Sequence, residues 1–264
     1  MSHKIWMSAA LVLASASAVS AAPDGGAGGG AQPNPPATAP TASKDAAAAE
    51  YIKDVQAKLG KQSDQEAKES IKKLVEIWKD KDVTDATKKP APDIIAKYAR
   101  EEKTAVATDA IDAFAEFGST GATEALETLD RTLKAKEPSA DVYKHCFDTL
   151  KKIADVKPAT VKALQEYLKY KTDEVVAKAA DAMGGYRNAP GKVRRGMLEE
   201  LIKQTEGVSS GAKNAKNSAL VHKWQVIGGP AVAALNALSG QTFKDPEEAR
   251  KWFNDHKGDK SWDT

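Results

Sequence analysis

Chemistry-bearing residues are scarce in this chain. One cysteine, Cys146, occurs in 264 residues. That excludes an intramolecular disulfide and any multi-cysteine zinc site. The histidines are His3, His145, His222 and His256. No two stand four residues apart, so the helical His pair of a zinc enzyme is missing. Gly184-Gly185 and the glycines between Gly207 and Gly211 are followed by no Gly-Lys-Ser/Thr, so a phosphate loop is excluded. Gly207-Val208-Ser209-Ser210-Gly211 spells Gly-x-Ser-x-Gly, but no strand pattern precedes it, as a nucleophile elbow requires. Aromatics reach only 6%, and no alternating run of β-branched residues offers a strand. Charge of one sign is also lacking: Lys and Arg number 39 against 37 Asp and Glu. That balance argues against a nucleic-acid binder driven by bulk charge.

What is abundant is Ala and Lys, which favour helix over sheet. Residues 1–22 read as a signal peptide. Lys4 opens it, Leu11, Val12 and Leu13 centre its apolar part, and Val19-Ser20-Ala21 supplies the small residues that precede cleavage. The apolar part is too short and too diluted for the ~20 apolar residues of a spanning helix. Residues 23–43 are rich in Gly, Pro, Ala and Thr and read as a disordered linker. Ser43 is placed to cap a helix bearing Tyr51, Ile52, Val55 and Leu59, which ends at Gly60.

The stretch 104–133 shows the organising pattern. Ala107, Ala110, Ile111, Phe114 and Phe117 share one face of a helix. Gly118 follows as a stop. Ala122, Ala125, Leu126 and Leu129 repeat the face on a second helix, so the two fold back as a hairpin. Forty residues upstream the same register falls on Ala67, Ser70, Ile71, Leu74 and Ile77. Downstream it falls on Tyr143, Cys146, Phe147, Leu150 and Ile153, then on Val176, Ala179, Ala180, Met183 and Tyr186. A last copy takes Asn217, Leu220, Val221, Trp224 and Ile227. Second helices recur likewise, the last on Ala231, Ala234, Leu235 and Leu238. Pro90, Pro158, Pro190 and Gly228-Gly229-Pro230 punctuate the turns. Two connections, 79–89 and 206–217, look long enough to be mobile or partner-facing.

The expected fold is therefore all-α: an α-α superhelix of about five helix pairs over residues 44–240. These pairs resemble HEAT-type or armadillo-like repeats. The tail sharpens the resemblance. Ala234-Leu235-Asn236-Ala237-Leu238-Ser239-Gly240-Gln241-Thr242-Phe243, Asp245-Pro246 and Trp252-Phe253 are similar to an ending of exported bacterial HEAT-repeat proteins. The chain departs from that ending at Ser239 for Thr, Lys244 for Gly and Phe253 for a second Trp. The resemblance implies a surface for protein–protein contacts and no cofactor. Residues 241–264 are expected to cap the last pair, with Asp245 as N-cap, Pro246 at N1, Glu248 closing a capping box and Phe243 folding onto Trp252 or Phe253.

No catalytic, cofactor-binding or metal-binding residue is expected. His145 and Cys146 are adjacent on a helix, about 100° apart, and cannot pair as base and nucleophile. The polar cluster that stands out is Arg187, Lys192, Arg194 and Arg195 around the fourth turn, suited to an acidic segment or an anionic polymer. The functional expectation is a periplasmic or secreted non-enzymatic scaffold with a protein partner, no nucleic acid and no stable membrane insertion. The alternatives are an envelope polyanion or polysaccharide binder and a lyase-like helical-repeat enzyme.

Overall fold

The computed structural model describes residues 40–100, 103–213, 217–259 and 262, with side chains from residue 44 onward. The expected signal peptide and most of the 23–43 linker lie outside the described residues. Every described element is helical, with no strand among them. No described helix is long and apolar enough to cross a membrane.

Helix α1 runs Pro40–Lys58, so its start precedes Ser43, the expected cap. Gly60 then takes a positive φ of 74°. α2 (Asp64–Lys79) opens on a full capping box, Ser63 with Glu66. That signature is written in the sequence as Ser-x-x-Glu and belongs in any reading of it. The long connection 79–89 is partly ordered by α3 (Asp85–Lys88). Asp45 of α1 pins it, accepting from the Thr84 N–H and from the Thr84 and Thr87 hydroxyls. α4 (Ala91–Tyr98) completes the first hairpin.

The central hairpin is α5 (Thr104–Ala113), a 3-10 turn (Phe114–Phe117) and α6 (Ser119–Lys134). Ala107, Ala110, Ile111, Phe114 and Phe117 are all buried. Gly118 has φ 55° and ψ −131°, a region essentially closed to residues with a Cβ. It is therefore a sharp turn and not a left-handed helix end. Gly121 lets α6 lie on the 3-10 turn: a Cβ there would sit 1.8 Å from the Phe114 carbonyl oxygen.

α7 (Ala140–Ile153) and α8 (Pro158–Tyr167) form the next hairpin, and α9 (Asp173–Met183) follows. After a second 3-10 turn (Gly184–Asn188) come α10 (Gly191–Ala212), α11 (Ser218–Ser239) and α12 (Pro246–His256). α2, α5, α7, α9 and α11 each pack on the next in that order. So do α4, α6, α8, α10 and α12. Interlocking bonds at near-repeat spacing tie these neighbours together. Thr149 of α7 donates to the Ile111 carbonyl (3.1 Å), Tyr170 to Leu133 (3.0 Å) and Gln165 to Gly196 (3.2 Å).

Two expectations fail at the end of the chain. The sequence 206–217, with its Gly and Ser residues, was expected to be a loop, but α10 continues through it to Ala212. The polar groups that weaken helix propensity have tertiary partners here. Ser209 and Ser210 donate to Glu247 at 2.9 and 2.8 Å, and Lys213 reaches Asp245 and Glu247 at 2.9 Å each. Gly228-Gly229-Pro230, expected to be a turn, lies inside the unbroken helix α11. Packing on both sides of Pro230, by Ile227 before it and Ala231, Ala234, Leu235 and Leu238 after it, outweighs the ~3 kcal/mol a helix-interior proline costs. Gly228 has its own reason: a Cβ would meet the Trp224 indole at 2.8 Å. The fifth first-helix and second-helix registers are thus two halves of one helix. α12, expected as an added cap, is the successor of α10 in the second row. The register 217–227 is also looser than the others. Asn217 is exposed, and Leu220, Val221 and Trp224 are only half-buried.

One buried carboxylate ties three elements. Asp155, 7% exposed, accepts from Ser119 Oγ (2.6 Å) and Thr160 Oγ1 (2.7 Å), while its main-chain carbonyl accepts from Tyr186 (3.0 Å). Thr160→Val removes one of the two hydroxyls that solvate this charge. It is expected to lower stability by about 1.5–3 kcal/mol, the range for hydrogen bonds to charged groups. Urea denaturation would read this, and Thr160→Ser should restore most of it.

Candidate functional site

The chain's basic turn splits into two environments. Arg194 and Arg195 are spent on the chain's own C-terminal segment. Arg194 Nε donates to the Ala189 carbonyl and Nη2 to the Trp262 carbonyl, each at 3.1 Å. Its guanidinium carbon lies 5.6 Å from the Trp262 ring centroid, a cation–π contact. Arg195 Nη1 donates to the Lys257 carbonyl at 2.9 Å. These two were expected to be free for a partner. Two Arg194 donors and one Arg195 donor go instead to backbone carbonyls that sequence spacing does not reveal. Lys192 is exposed on the same turn and has no ionic partner among the described residues.

Arg187 faces elsewhere, into a cleft of about 760 Å³. The C-terminal end of α7, the 3-10 turn 184–188 and α11 build its walls. That volume lies within the ~300–1,000 Å³ typical of ligand sites. Small residues make its floor: Gly184, Ala233, Ala234 and Ala237. Gly185 lets the turn seat against α7, since a Cβ there would lie 2.3 Å from the Lys151 carbonyl oxygen. Cations make the rim: Lys151, Lys152 and Arg187. Lys151 is neutralised by Asp181 at 2.8 Å. Lys152 and Arg187 are exposed and pair with no carboxylate among the described residues.

The lining contains no His, Cys, Ser, Thr or Tyr; its titratable side chains are Lys151, Lys152, Arg187 and Asp181, and Asp181 is paired with Lys151. Elsewhere several titratable groups have structural partners. His145 Nδ1 lies 2.9 Å from Asp112 Oδ1 on the preceding first-row helix. Cys146 is fully buried, and burial pushes its thiol well above the usual range, which keeps it protonated and inert. The His256 ring stacks on Trp252, centroids 4.8 Å apart, with Nδ1 2.8 Å from the Trp252 carbonyl. His222 is exposed at the start of α11. Glu124, on the second-row surface, lies 3.9 Å from Arg100, and burial raises its pKa. Among the described residues no group of three His, Cys, Asp or Glu could hold a metal ion.

The tail that occupies Arg194 packs its aromatic rings on one another. Phe243 packs on Trp252 with centroids 5.7 Å apart, as its position suggested. Asp245 accepts from the Glu248 N–H at 2.9 Å, and Pro246 is at N1. The expected reciprocal bond is displaced by one residue: Glu248 accepts from the Lys244 N–H, not from Asp245. The Glu248 N–H bond holds the Asp245 carboxyl below its ordinary pKa of 3.8. Its stabilising contribution is complete above that value and is lost as pH falls through the lower folded value. Acid titration should therefore loosen the start of α12 as this bond is lost, read as a change in tryptophan emission from Trp252 and Trp262. Asp245→Asn keeps an N-cap oxygen and should remove this step.

No family profile matches this chain. No curated protein matches it either. Among solved structures, the crystal structure of an engineered protein is similar over 75% of this chain and 99% of its own length. The identity is 18% and the TM-score 0.37, too low to bear on fold or function.

Proposed function

We propose that this chain is an exported, non-enzymatic scaffold of HEAT-like type, an α-α superhelix that binds another protein. The observation that carries the reading is the order of helix neighbours. Two rows, each packed in chain order, are what stacked hairpins produce, and such stacks present extended surfaces. α12 gives the second row an end with large aromatics, the kind of cover a stack requires. Export is supported by the sequence 1–22, and a linker over 23–39 would let the helical part stand off from a membrane or wall. The cleft supports binding over catalysis, because its lining is mostly small and apolar with a cationic rim, and its one carboxylate, Asp181, is paired with Lys151.

The test is lysine crosslinking in the intact envelope followed by mass spectrometry, with the mass of the mature N-terminus measured in parallel. The expected result is a chain beginning after Ala21 or Ala22, with crosslinks to one protein gathered on adjoining helix pairs. A cytosolic chain with an intact N-terminus overturns export. Crosslinks scattered evenly over all faces and many proteins overturn the scaffold.

A further inference from the structure

We infer that the cleft between α7, the 184–188 turn and α11 receives an extended acidic segment of a partner protein. Its carboxylates would meet Lys152 and Arg187, and its small apolar side chains would rest on the alanine floor. The inference deepens the scaffold reading and depends on it only in taking the ligand to be a protein.

Three features fix the chemistry. The first is uncompensated charge. From Gly184 to Leu198 the sequence carries Arg187, Lys192, Arg194 and Arg195 and no carboxylate. With Lys151 answered by Asp181, and Arg194 and Arg195 bonded to carbonyls, Lys152 and Arg187 are the rim charges left for a ligand. An arginine offers a planar fork suited to a carboxylate, and an exposed lysine adds a point charge.

The second is the apolar surface beside them. Val156, 44% exposed, is the exposed large hydrophobic residue among the described residues, and it lines this cleft. With Ala233, Ala234 and Ala237 it offers methyl groups and no deep pocket, which suits Ala- or Val-sized side chains. In an extended peptide successive side chains point to opposite sides. A segment alternating Asp or Glu with Ala or Val would thus turn carboxylates to one wall and methyls to the floor. The third is what the lining lacks. No aromatic ring faces the cleft, so it has no stacking platform of the kind a sugar polymer uses. Asn188 instead supplies an amide able to donate to and accept from a peptide backbone.

The experiment uses fluorescence anisotropy with the exported chain and a labelled peptide, Asp-Val-Glu-Ala-Asp-Val-Glu. Its neutral counterpart, Asn-Val-Gln-Ala-Asn-Val-Gln, and dextran sulfate serve as comparison probes. At about 50 mM salt the acidic peptide should bind saturably and weaken as salt rises, because the Debye length shortens and exposed charge pairs are screened. The neutral peptide should bind at least about tenfold more weakly. Arg187→Glu and Lys152→Glu should each cost at least about tenfold, since a charge-assisted contact becomes a repulsion. Ala233→Glu, which places a carboxylate on the floor, should do the same. All three positions are exposed, so the circular dichroism spectrum should not change. Lys192→Glu, on the same turn but outside the lining, should bind like the unaltered chain.

The inference is overturned by an absence of saturable binding at low salt, or by equal binding of Arg187→Glu. It is also overturned if dextran sulfate binds as tightly as the peptide with the same dependence on Arg187 and Lys152, which would mark a general polyanion site. Crosslinks to a partner through another face would leave the scaffold standing while the cleft failed. Failure of export or of partner crosslinking, with peptide binding intact, would separate the two readings the other way.

Discussion

Phe114→Ala is expected to destabilise the protein by about 3–5 kcal/mol, the cost of emptying a fully buried phenylalanine site. Phe114 has no exposed surface and begins the 3-10 turn that joins α5 to α6. The turn cannot collapse into the space easily, because α6 is already in contact with its backbone: the Gly121 Cα approaches the Phe114 carbonyl too closely to carry a Cβ. Both conditions push the loss toward the large end, since the cost rises with the cavity that remains. Urea denaturation followed by circular dichroism is the measurement. A fall in midpoint with an unchanged slope is expected. Glu116→Ala, at an exposed position of the same turn off the apolar register, gives the comparison and should change stability far less. Gly121→Ala should be comparably severe by a different route, since its methyl would lie 1.8 Å from a backbone oxygen that no rotamer can move. A neutral Phe114→Ala would mean that the apolar phase running from Ala67 to Tyr186 is misplaced.

That phase is what the sequence makes plain. Four successive copies put the same five positions inside, because burial on a helix repeats with 3.6 residues and leaves a trace in residue type. Only Ile153, half-buried at the end of α7, loosens it. Local signals fail where a distant partner changes the balance. Ser209 and Ser210 read as loop formers until Glu247, 38 and 37 residues on, accepts from both hydroxyls. Pro230 reads as a break until α9 and α10 are seen to pack along α11. Arg194 and Arg195 read as free charges because main-chain carbonyls carry no sequence signature. The cleft was legible only at Arg187. Its floor consists of Ala and Gly, the least informative residues in an Ala-rich chain, brought together from the 184–188 turn and α11.

Trp262→Ala is expected to release the segment that follows α12, at about 3 kcal/mol, within the range for emptying a buried tryptophan site. Trp262 is 4% exposed and is held from every side. Its ring meets Trp252 and Phe253 with centroids 5.7 and 6.5 Å away, and its Nε1 donates to the His256 carbonyl at 2.9 Å. Arg194 takes its carbonyl, and Gly191 provides the gap that carbonyl enters: a Cβ on Gly191 would lie 1.6 Å from it. Hydrogen exchange should show the loss of protection in α12 and in the first turn of α10, and size-exclusion chromatography should show association through the uncovered aromatics. Gly191→Ala attacks the same contact from the opposite side and should reproduce both effects. Because each substitution removes the same docked state, the pair should be strongly non-additive, with the double variant hardly worse than either alone. Additive losses would show that Gly191 and Trp262 act separately and that the tail is not docked there. Arg194 links this contact to the cleft, since its Nε holds the Ala189 carbonyl and Ala189 lines the cleft wall. Arg194→Lys would retain the charge but lose the planar fork that bonds two carbonyls and stacks on the indole. It should therefore free the tail as Trp262→Ala does, which an effect of net charge alone would not produce.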